Sequence, residues 1–238
     1  MQVFQHLKYF LQMKIGVIIV VGVSLLLSSC SVAIKKIAGL KNPIVETRES
    51  TKEFLKKIDY PTTNTYILSS SNDSAQIINN IMKCLSQDVL LYNNIGVRYC
   101  YKSKEKCDGV KLKNAFSDVL QYYEPCKTDT ITMQEIMSSF EPLDLDNTIL
   151  SESEYFLIIY WSKFYGGKRR LAGDLELLSL KNTSKYNISI ILVNTDLQTE
   201  WGLEKGKRLK LKFKFLGQKS ASIEFGRIPY QRQNNKCP

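Results

Sequence analysis

Two stretches in the second half of the chain decide the fold, Tyr155-Phe156-Leu157-Ile158-Ile159-Tyr160-Trp161 and Ile188-Ser189-Ile190-Ile191-Leu192-Val193. The first is a continuous apolar and aromatic run, which is typical of a strand covered on both faces. The second is rich in β-branched residues, which favour strands. Between them, after Gly166-Gly167, three leucines recur at helical spacing: Leu171, Leu175 and Leu178. This strand, helix, strand succession predicts a parallel crossover, and therefore an α/β mixed sheet flanked by helices.

The segment that follows alternates cationic and apolar side chains from 208 to 215 and returns at 221–225. This pattern predicts an antiparallel hairpin at the end of the sheet, with its cations on one side. The cations of this basic face are Arg208, Lys210, Lys212 and Lys214. Two roles fit such a row: protection of an edge strand against pairing with another chain, or contact with anionic lipid head groups or glycans.

The first half of the chain predicts shorter elements. Thr65 to Leu68 reads as a strand, and Asn72 or Asp73 caps an amphipathic helix that follows. Asn93 to Gly96 is a hairpin signal between two strand-like runs. Two capping boxes, Ser50 with Glu53 and Thr132 with Glu135, predict further helix starts. We therefore assign residues 44–150 to an N-terminal α/β region that packs on or completes the sheet formed by residues 151–238.

The octapeptide Trp161-Ser162-Lys163-Phe164-Tyr165-Gly166-Gly167-Lys168, at the end of a buried strand, resembles the W-x-x-x-C-G-P-C motif of thioredoxin-like domains. The resemblance implies that Tyr165 and Lys168 occupy the positions of the attacking and resolving cysteines. Gly166 matches the motif, Gly167 replaces its proline, and both cysteines are absent. No proline precedes the strand near Leu209, where the family keeps its cis-proline. The resemblance thus implies a thioredoxin-like fold, over about residues 154–225, without the family's redox pair.

Cysteines outside this motif leave a second reading open. Five remain after residue 30, so at least one of them is not paired within the chain: Cys84, Cys100, Cys107, Cys126 and Cys237. Cys84 falls on an apolar helical face and reads as a buried thiol. Cys100 and Cys107 flank a loop suited to a local disulfide, with Cys126 as the competing partner. A thiol-disulfide enzyme that uses these cysteines is the alternative to a redox-inactive domain.

The only histidine is His6, near the start of the chain. Residues 30–238 therefore exclude Ser-His-Asp and Cys-His catalysis and every imidazole metal site. No C-x-x-C pair suggests zinc, and we predict neither a metal nor a cofactor. The nearest carboxylate pairs, Glu152 with Glu154 and Asp144 with Asp146, read as solvated loop residues.

The first 29 residues have the form of a signal peptide, with Lys8 and Lys14 before the uncharged apolar run 15–27. The run ends in Leu27-Ser28-Ser29-Cys30, which resembles the lipobox of bacterial lipoproteins. The resemblance implies cleavage between Ser29 and Cys30, acyl chains on Cys30, and a lipidated tether over residues 30–43. No acidic cluster of the Bacteroidetes surface-export kind follows Cys30. We therefore expect a lipid-anchored protein of the bacterial cell envelope that faces mainly the periplasm.

Charge limits the partners of this protein. Without residues 1–29, which contain two lysines and no acid, 31 basic residues face 23 acidic ones, a net charge of +8. Such a balance favours anionic partners. An envelope location makes anionic lipid, glycan or an envelope protein the expected partner and argues against nucleic acid. The sequence thus predicts a membrane-anchored protein with a binding or structural role.

Overall fold

We describe a computed structural model of the chain. It covers residues 40–59, 62–86, 89–103, 108–128, 131–144, 152–165, 179–215 and 221–228. The predicted signal peptide, Cys30, Cys107 and the Gly166-Gly167-Lys168 part of the motif that resembles thioredoxin-like domains lie outside the described residues, as does the predicted leucine helix at 171–178.

Nine strands are described. They are β1 (Thr65–Leu68), β2 (Val89–Asn93), β3 (Arg98–Tyr101), β4 (Tyr123–Pro125), β5 (Phe140–Pro142), β6 (Tyr155–Trp161), β7 (Ile188–Asn194), β8 (Leu211–Phe215) and β9 (Ala221–Phe225). The first seven form one sheet in the order β4-β3-β2-β6-β7-β1-β5.

The two strands that the sequence marks most strongly, β6 and β7, lie at the centre of this sheet. They are parallel and pair over their full lengths, from Tyr155 with Ile188 to Trp161 with Asn194. β1 continues the parallel arrangement on the far side of β7. The predicted parallel connection between β6 and β7 is therefore confirmed at the level of strand pairing.

Strands from the first half of the chain pair directly with this centre. β2 is antiparallel to β6, and β3 folds back on β2 through the predicted turn, where Gly96 has a φ of +80°. Such a φ strains any residue with a Cβ, which explains the glycine. The predicted strand over 65–68 is confirmed as β1.

Both outer strands of the sheet end in proline, β4 at Pro125 and β5 at Pro142. Proline cannot donate a ladder hydrogen bond, so each edge resists pairing with another chain.

Five α-helices are described: α1 (Arg48–Lys57), α2 (Ser74–Ser86), α3 (Asp108–Ser117), α4 (Val119–Tyr122) and α5 (Met133–Met137). The predicted capping box of Thr132 and Glu135 is confirmed at the start of α5. The one assigned to Ser50 and Glu53 is wrong, because Thr47 caps α1 and Ser50 occupies its third position. Within the described ranges, no helix combines the length and apolarity needed to cross a bilayer.

Alternate side chains of β6 reach opposite faces of the sheet, as period-2 geometry requires. Phe156, Ile158 and Tyr160 pack with α2 and the segment 203–228. On the other face, Leu157 packs with α3, and Trp161 packs with α1. The sheet is thus covered on both sides, which explains its uninterrupted apolar strands.

The hairpin β8–β9 departs from the prediction. It forms a separate two-stranded sheet and does not extend the end of the main one. Leu209 and Leu211 bury their side chains in the core beside α2. The alternating pattern correctly predicted which side chains are buried. They are buried because the hairpin packs across a face of the main sheet, and not because it joins the end of that sheet.

A polar cluster around Glu141 connects the outer strand β5 to the turn after β1 and to α1. The Glu141 carboxylate accepts hydrogen bonds from the Ser69 hydroxyl at 2.8 Å and the Ser70 N–H at 2.9 Å, and it pairs with Arg48 of α1. Arg48 also donates to the Pro142 carbonyl at 2.7 Å. Burial raises the pKa of Glu141, but the Ser70 and Ser69 donors and the Arg48 charge outweigh it and hold the pKa below its usual value.

We predict that Glu141→Gln lowers stability more at neutral pH than in acid. A carboxyl whose pKa is depressed by folding stabilises the protein above its unfolded pKa of about 4.3, and this contribution is lost as the pH falls through the folded pKa. Because the side chain is partly exposed, solvent screening limits the effect to about 1 kcal/mol. Urea denaturation of wild type and variant at neutral and acidic pH measures it. Glu53→Gln, an exposed change on α1, is the control, and a Glu141→Gln deficit that grows on acidification would contradict the assignment.

Candidate functional site at the carboxyl ends of the central strands

The carboxyl ends of β6, β7 and β1 meet at one edge of the sheet. Trp161 pairs with Asn194, and Asn194 pairs on its other side with Ile67. In α/β sheets this edge is where ligands commonly bind. It is also where the thioredoxin-like resemblance predicts a functional loop.

A buried carboxylate, Asp196, organises this edge. Its Oδ1 accepts a hydrogen bond from the Ser162 hydroxyl, and its Oδ2 accepts one from the Asn194 amide at 3.0 Å. The Lys163 N–H lies 3.2 and 3.3 Å from the two oxygens. Asp196 is 0% exposed. Its carboxylate therefore joins the ends of β6 and β7 and does not face solvent.

Burial raises the pKa of Asp196, while the hydrogen bonds from Ser162 and Asn194 act in the opposite direction. Raised carboxyl pKa values occur in catalytic acids, but such a group must reach a substrate. Here both oxygens are occupied by donors from the protein itself. The geometry assigns Asp196 a positioning role.

Neighbouring amides extend the same network. Asn194 Oδ1 accepts from the Asp196 N–H at 3.1 Å, and the Gln198 side chain donates to the Asp196 carbonyl at 3.2 Å. Thr195 donates from its backbone to the Trp161 carbonyl at 2.9 Å. These contacts fix the turn after β7 against the turn after β6.

The side chain of Lys163 extends from this network toward Glu46 and α1. Its Nζ lies 3.1 Å from Glu46 Oε2, and its ammonium sits 5.7 Å from the centre of the Phe54 ring. Phe54 in turn stacks on Trp161 with ring centres 6.3 Å apart. Trp161, the first residue of the thioredoxin-like motif, is only 3% exposed. α1 therefore covers the end of β6 at Trp161, the first residue of the motif.

Tyr165, at the predicted position of an attacking cysteine, is half-buried and pairs with Leu40 in an isolated bridge. It lines a narrow cleft with Pro43, Phe164 and the buried thiol of Cys84. The cleft holds about 10 Å³, room for about one water molecule. This cleft is too small for a peptide or a metabolite.

The carboxylate pairs considered from sequence lie away from the Asp196 network as far as they are described. Glu154 accepts the Asn187 N–H at 2.7 Å, and Asp144 pairs with Lys52 at 3.4 Å. Asp146 lies outside the described residues. Glu152 and Glu154 line a depression of about 460 Å³, which lies at the amino ends of β6 and β7. Nothing there joins the Asp196 network.

The predicted disulfide partner of Cys100 is corrected. Cys100 bonds to Cys126, with Cα atoms 5.0 Å apart, and not to Cys107. β3 and β4 are antiparallel neighbours, so their pairing brings Cys126 beside Cys100, and the Cys126 N–H donates to the Arg98 carbonyl at 3.0 Å. The length of the loop between Cys100 and Cys107 suggested a disulfide between these two residues, whereas the pairing of β3 with β4 joins Cys100 to Cys126, farther along the chain. Closing a loop of this size contributes about 3 kcal/mol.

The basic face follows its predicted alternation as far as its side chains are described. Arg208, Lys210 and Lys212 are exposed, while Leu209 and Leu211 are buried. The Lys214 side chain is outside the described part. Across the described ranges, no three metal-ligating side chains of the His, Cys, Asp or Glu type come together.

Asp196 and Lys163 are the site residues that the sequence reasoning did not single out. A signal for them exists: Ser162 and Asn194-Thr195-Asp196 are polar residues directly after two buried strands. Parallel strands bring such residues to one edge of a sheet.

The chain matches no protein-family model, no curated protein and no solved structure.

We predict that Asp196→Ala destabilises the protein by about 2–4 kcal/mol, because buried donors of Ser162, Lys163 and Asn194 lose their acceptor. Urea denaturation followed by tryptophan fluorescence measures the change. Glu204→Ala, which removes an exposed carboxylate, is the matched control and should shift stability by less than about 0.5 kcal/mol. Equal effects of the two substitutions would show that Asp196 does not organise this edge.

Proposed function

We propose that this chain is a bacterial envelope lipoprotein, held on the membrane by acyl chains on Cys30, facing mainly the periplasm, and acting by binding or in a structural role. Its domain is a thioredoxin-like one that is redox-inactive and uses no metal or cofactor. The observation that carries this proposal is that side chains of the protein itself cover the first residues of the motif: Trp161 is stacked under Phe54, and Lys163 is paired with Glu46.

The pairing of β6 and β7 supports the thioredoxin-like part of the proposal, because the motif region follows a buried strand that is parallel to the next one. The separate β8–β9 sheet is a departure from the expected arrangement. The proposal therefore relies on the central strands and on the residues that follow them.

The Cys100–Cys126 disulfide supports an oxidising compartment such as the periplasm. Disulfides persist there and are rare in the reducing cytosol. This agrees with the predicted signal peptide and lipobox.

The disulfide also supports one alternative function. Cys100 and Cys126 are both half-buried and not fully enclosed. A periplasmic thiol-disulfide enzyme that cycles this pair is the second candidate, since exchange requires an attackable sulfur.

We predict that cells expressing the wild-type chain incorporate a clickable fatty acid into it, and that Cys30→Ala abolishes the label. The thiol of Cys30 is the acceptor of the lipid in this proposal, so no other cysteine can replace it. In-gel fluorescence after immunoprecipitation measures the label. Cys237→Ala is the control and should retain it, and a wild type that takes up no label would exclude lipidation.

We predict that the purified chain from Ser31 onward does not catalyse the reduction of insulin by dithiothreitol above the buffer rate, because the motif region holds no cysteine. Turbidity of precipitating insulin measures the rate, with an active thioredoxin as the positive control. Turnover that disappears in Cys126→Ser would instead establish the thiol-disulfide enzyme.

A further inference from the structure

The segment before α1 lies along the body of the protein from Leu40 to Glu46. The Lys41 N–H donates to the Phe164 carbonyl at 2.8 Å, and the Val45 N–H donates to the Lys207 carbonyl at 2.9 Å. In return, the Leu209 N–H donates to the Pro43 carbonyl at 2.9 Å. Residues 40–43, which the sequence assigned to a tether, are therefore bound to the domain, and the chain leads from Leu40 toward Cys30.

The basic face lies directly beside this docked segment. Ile44 and Arg208 form an antiparallel bridge, and the Leu211 N–H donates to the Asn42 side chain at 3.2 Å. Arg208, Lys210, Lys212 and Lys41 are all exposed. The three cations of the row thus face solvent beside the docked segment, and Lys41 is exposed at its start.

Edge protection does not explain Arg208 and Lys210. The segment 208–211, which leads into β8, uses its backbone on both sides, toward residues 42–44 on one side and toward Gly226, whose N–H donates to the Lys210 carbonyl at 2.7 Å, on the other. A segment already paired on both sides needs no lysines to prevent further pairing. Lys212 lies on β8, whose partner in its two-stranded sheet is β9, and continues the same row.

Acidic neighbours do not neutralise the row. Glu204 is paired with Lys207 at 3.3 Å, outside the row. Glu224 is opposite Lys212 in the β8–β9 register. Among the described residues that pair with this stretch, one acid thus faces three cations, which leaves the row positive.

The length of the linker places this surface near the bilayer. Ten residues lead from Cys30 to Leu40, and a fully extended chain of that length spans at most about 35 Å. Lys35 and Lys36 fall within this linker. A lipid on Cys30 therefore keeps the basic surface within reach of head groups, although charges must come within about 8 Å to interact strongly at physiological salt.

We propose that Arg208, Lys210 and Lys212 form a membrane-facing surface that contacts anionic lipid head groups of the bilayer holding the acyl chains. Lys41, at the start of the docked segment beside this row, reports its approach to the bilayer. This inference rests on the proposed lipid anchor. Each cation near an anionic surface changes binding by about fivefold. The acyl chains already supply attachment, so the cations fix the orientation of the domain.

The test uses the mature acylated protein, purified from membranes and reconstituted into vesicles of phosphatidylglycerol with phosphatidylcholine or of phosphatidylcholine alone. Lysines are labelled with an amine-reactive acetylating reagent, and the extent of acetylation at each lysine is measured by mass spectrometry. We expect Lys210 and Lys212 to react about three- to tenfold more slowly on anionic vesicles at low salt, and this protection to disappear at high salt. Lys113, on the helix α3 that covers the other face of the sheet, and Lys127, after the outer strand β4, are exposed and should react equally on both vesicles.

Two variants of equal charge change sharpen the test. Arg208→Gln/Lys210→Gln/Lys212→Gln removes the row, and Lys113→Gln/Lys127→Gln/Lys181→Gln removes three cations elsewhere. Protection of Lys41 on anionic vesicles should be lost in the first variant and kept in the second. Equal protection of Lys41 in both variants would overturn the inference.

The same samples test the membrane-facing surface and the lipid anchor separately. The mass of the N-terminal peptide reports whether Cys30 carries acyl chains. An acylated protein whose Lys210 and Lys212 react equally on anionic and neutral vesicles would refute the membrane-facing surface and leave the lipoprotein standing. A protein without acyl chains would refute both.

Discussion

The carboxylate of Asp196 is fully enclosed by the protein, and the structure around it follows from the need to satisfy that group. An ionised carboxylate away from water costs several kcal/mol unless donors surround it. The donors come from Ser162 and Lys163 after β6 and from Asn194 at the end of β7. Two turns far apart in sequence are consequently held at one edge of the sheet.

The fixed turn determines what covers this edge. With its N–H on Asp196, Lys163 extends its side chain to Glu46 and the Phe54 ring. These contacts draw the start of α1 and the segment before it onto the end of β6. Trp161 becomes buried beneath Phe54, and Tyr165 faces a cleft with room for about one water molecule. In many α/β proteins this end of the sheet receives a ligand, whereas here α1 and the segment before it cover the end of β6, which is the reason that we propose a redox-inactive domain.

In the proposed lipoprotein, the docked segment would connect this end of the sheet to the membrane. It runs from Leu40 between the turn after β6 and the segment 207–211, so that an anchor at Cys30 would attach the domain beside its basic row. The same hydrogen bonds that bury Leu209 and Leu211 turn Arg208, Lys210 and Lys212 outward. In this proposal, the attachment of the domain to the membrane and its orientation there would both depend on the docked segment and on the segment 207–211 that it contacts.

By itself, the sequence determined the features that depend on local pattern. An uninterrupted apolar run specified β6, β-branched residues specified β7, and alternation specified which side chains of 208–212 are buried, because periodicity and composition report burial directly. It also showed the resemblance of residues 27–30 to a lipobox and the absence of histidine after residue 30. Tertiary structure alone decided the partners: Cys126 for Cys100, a separate sheet for β8–β9, and Ser162 with Lys163 for Asp196. Those outcomes depend on which strands lie side by side, and strand order is set by the packing of both sheet faces at once, which no local pattern encodes.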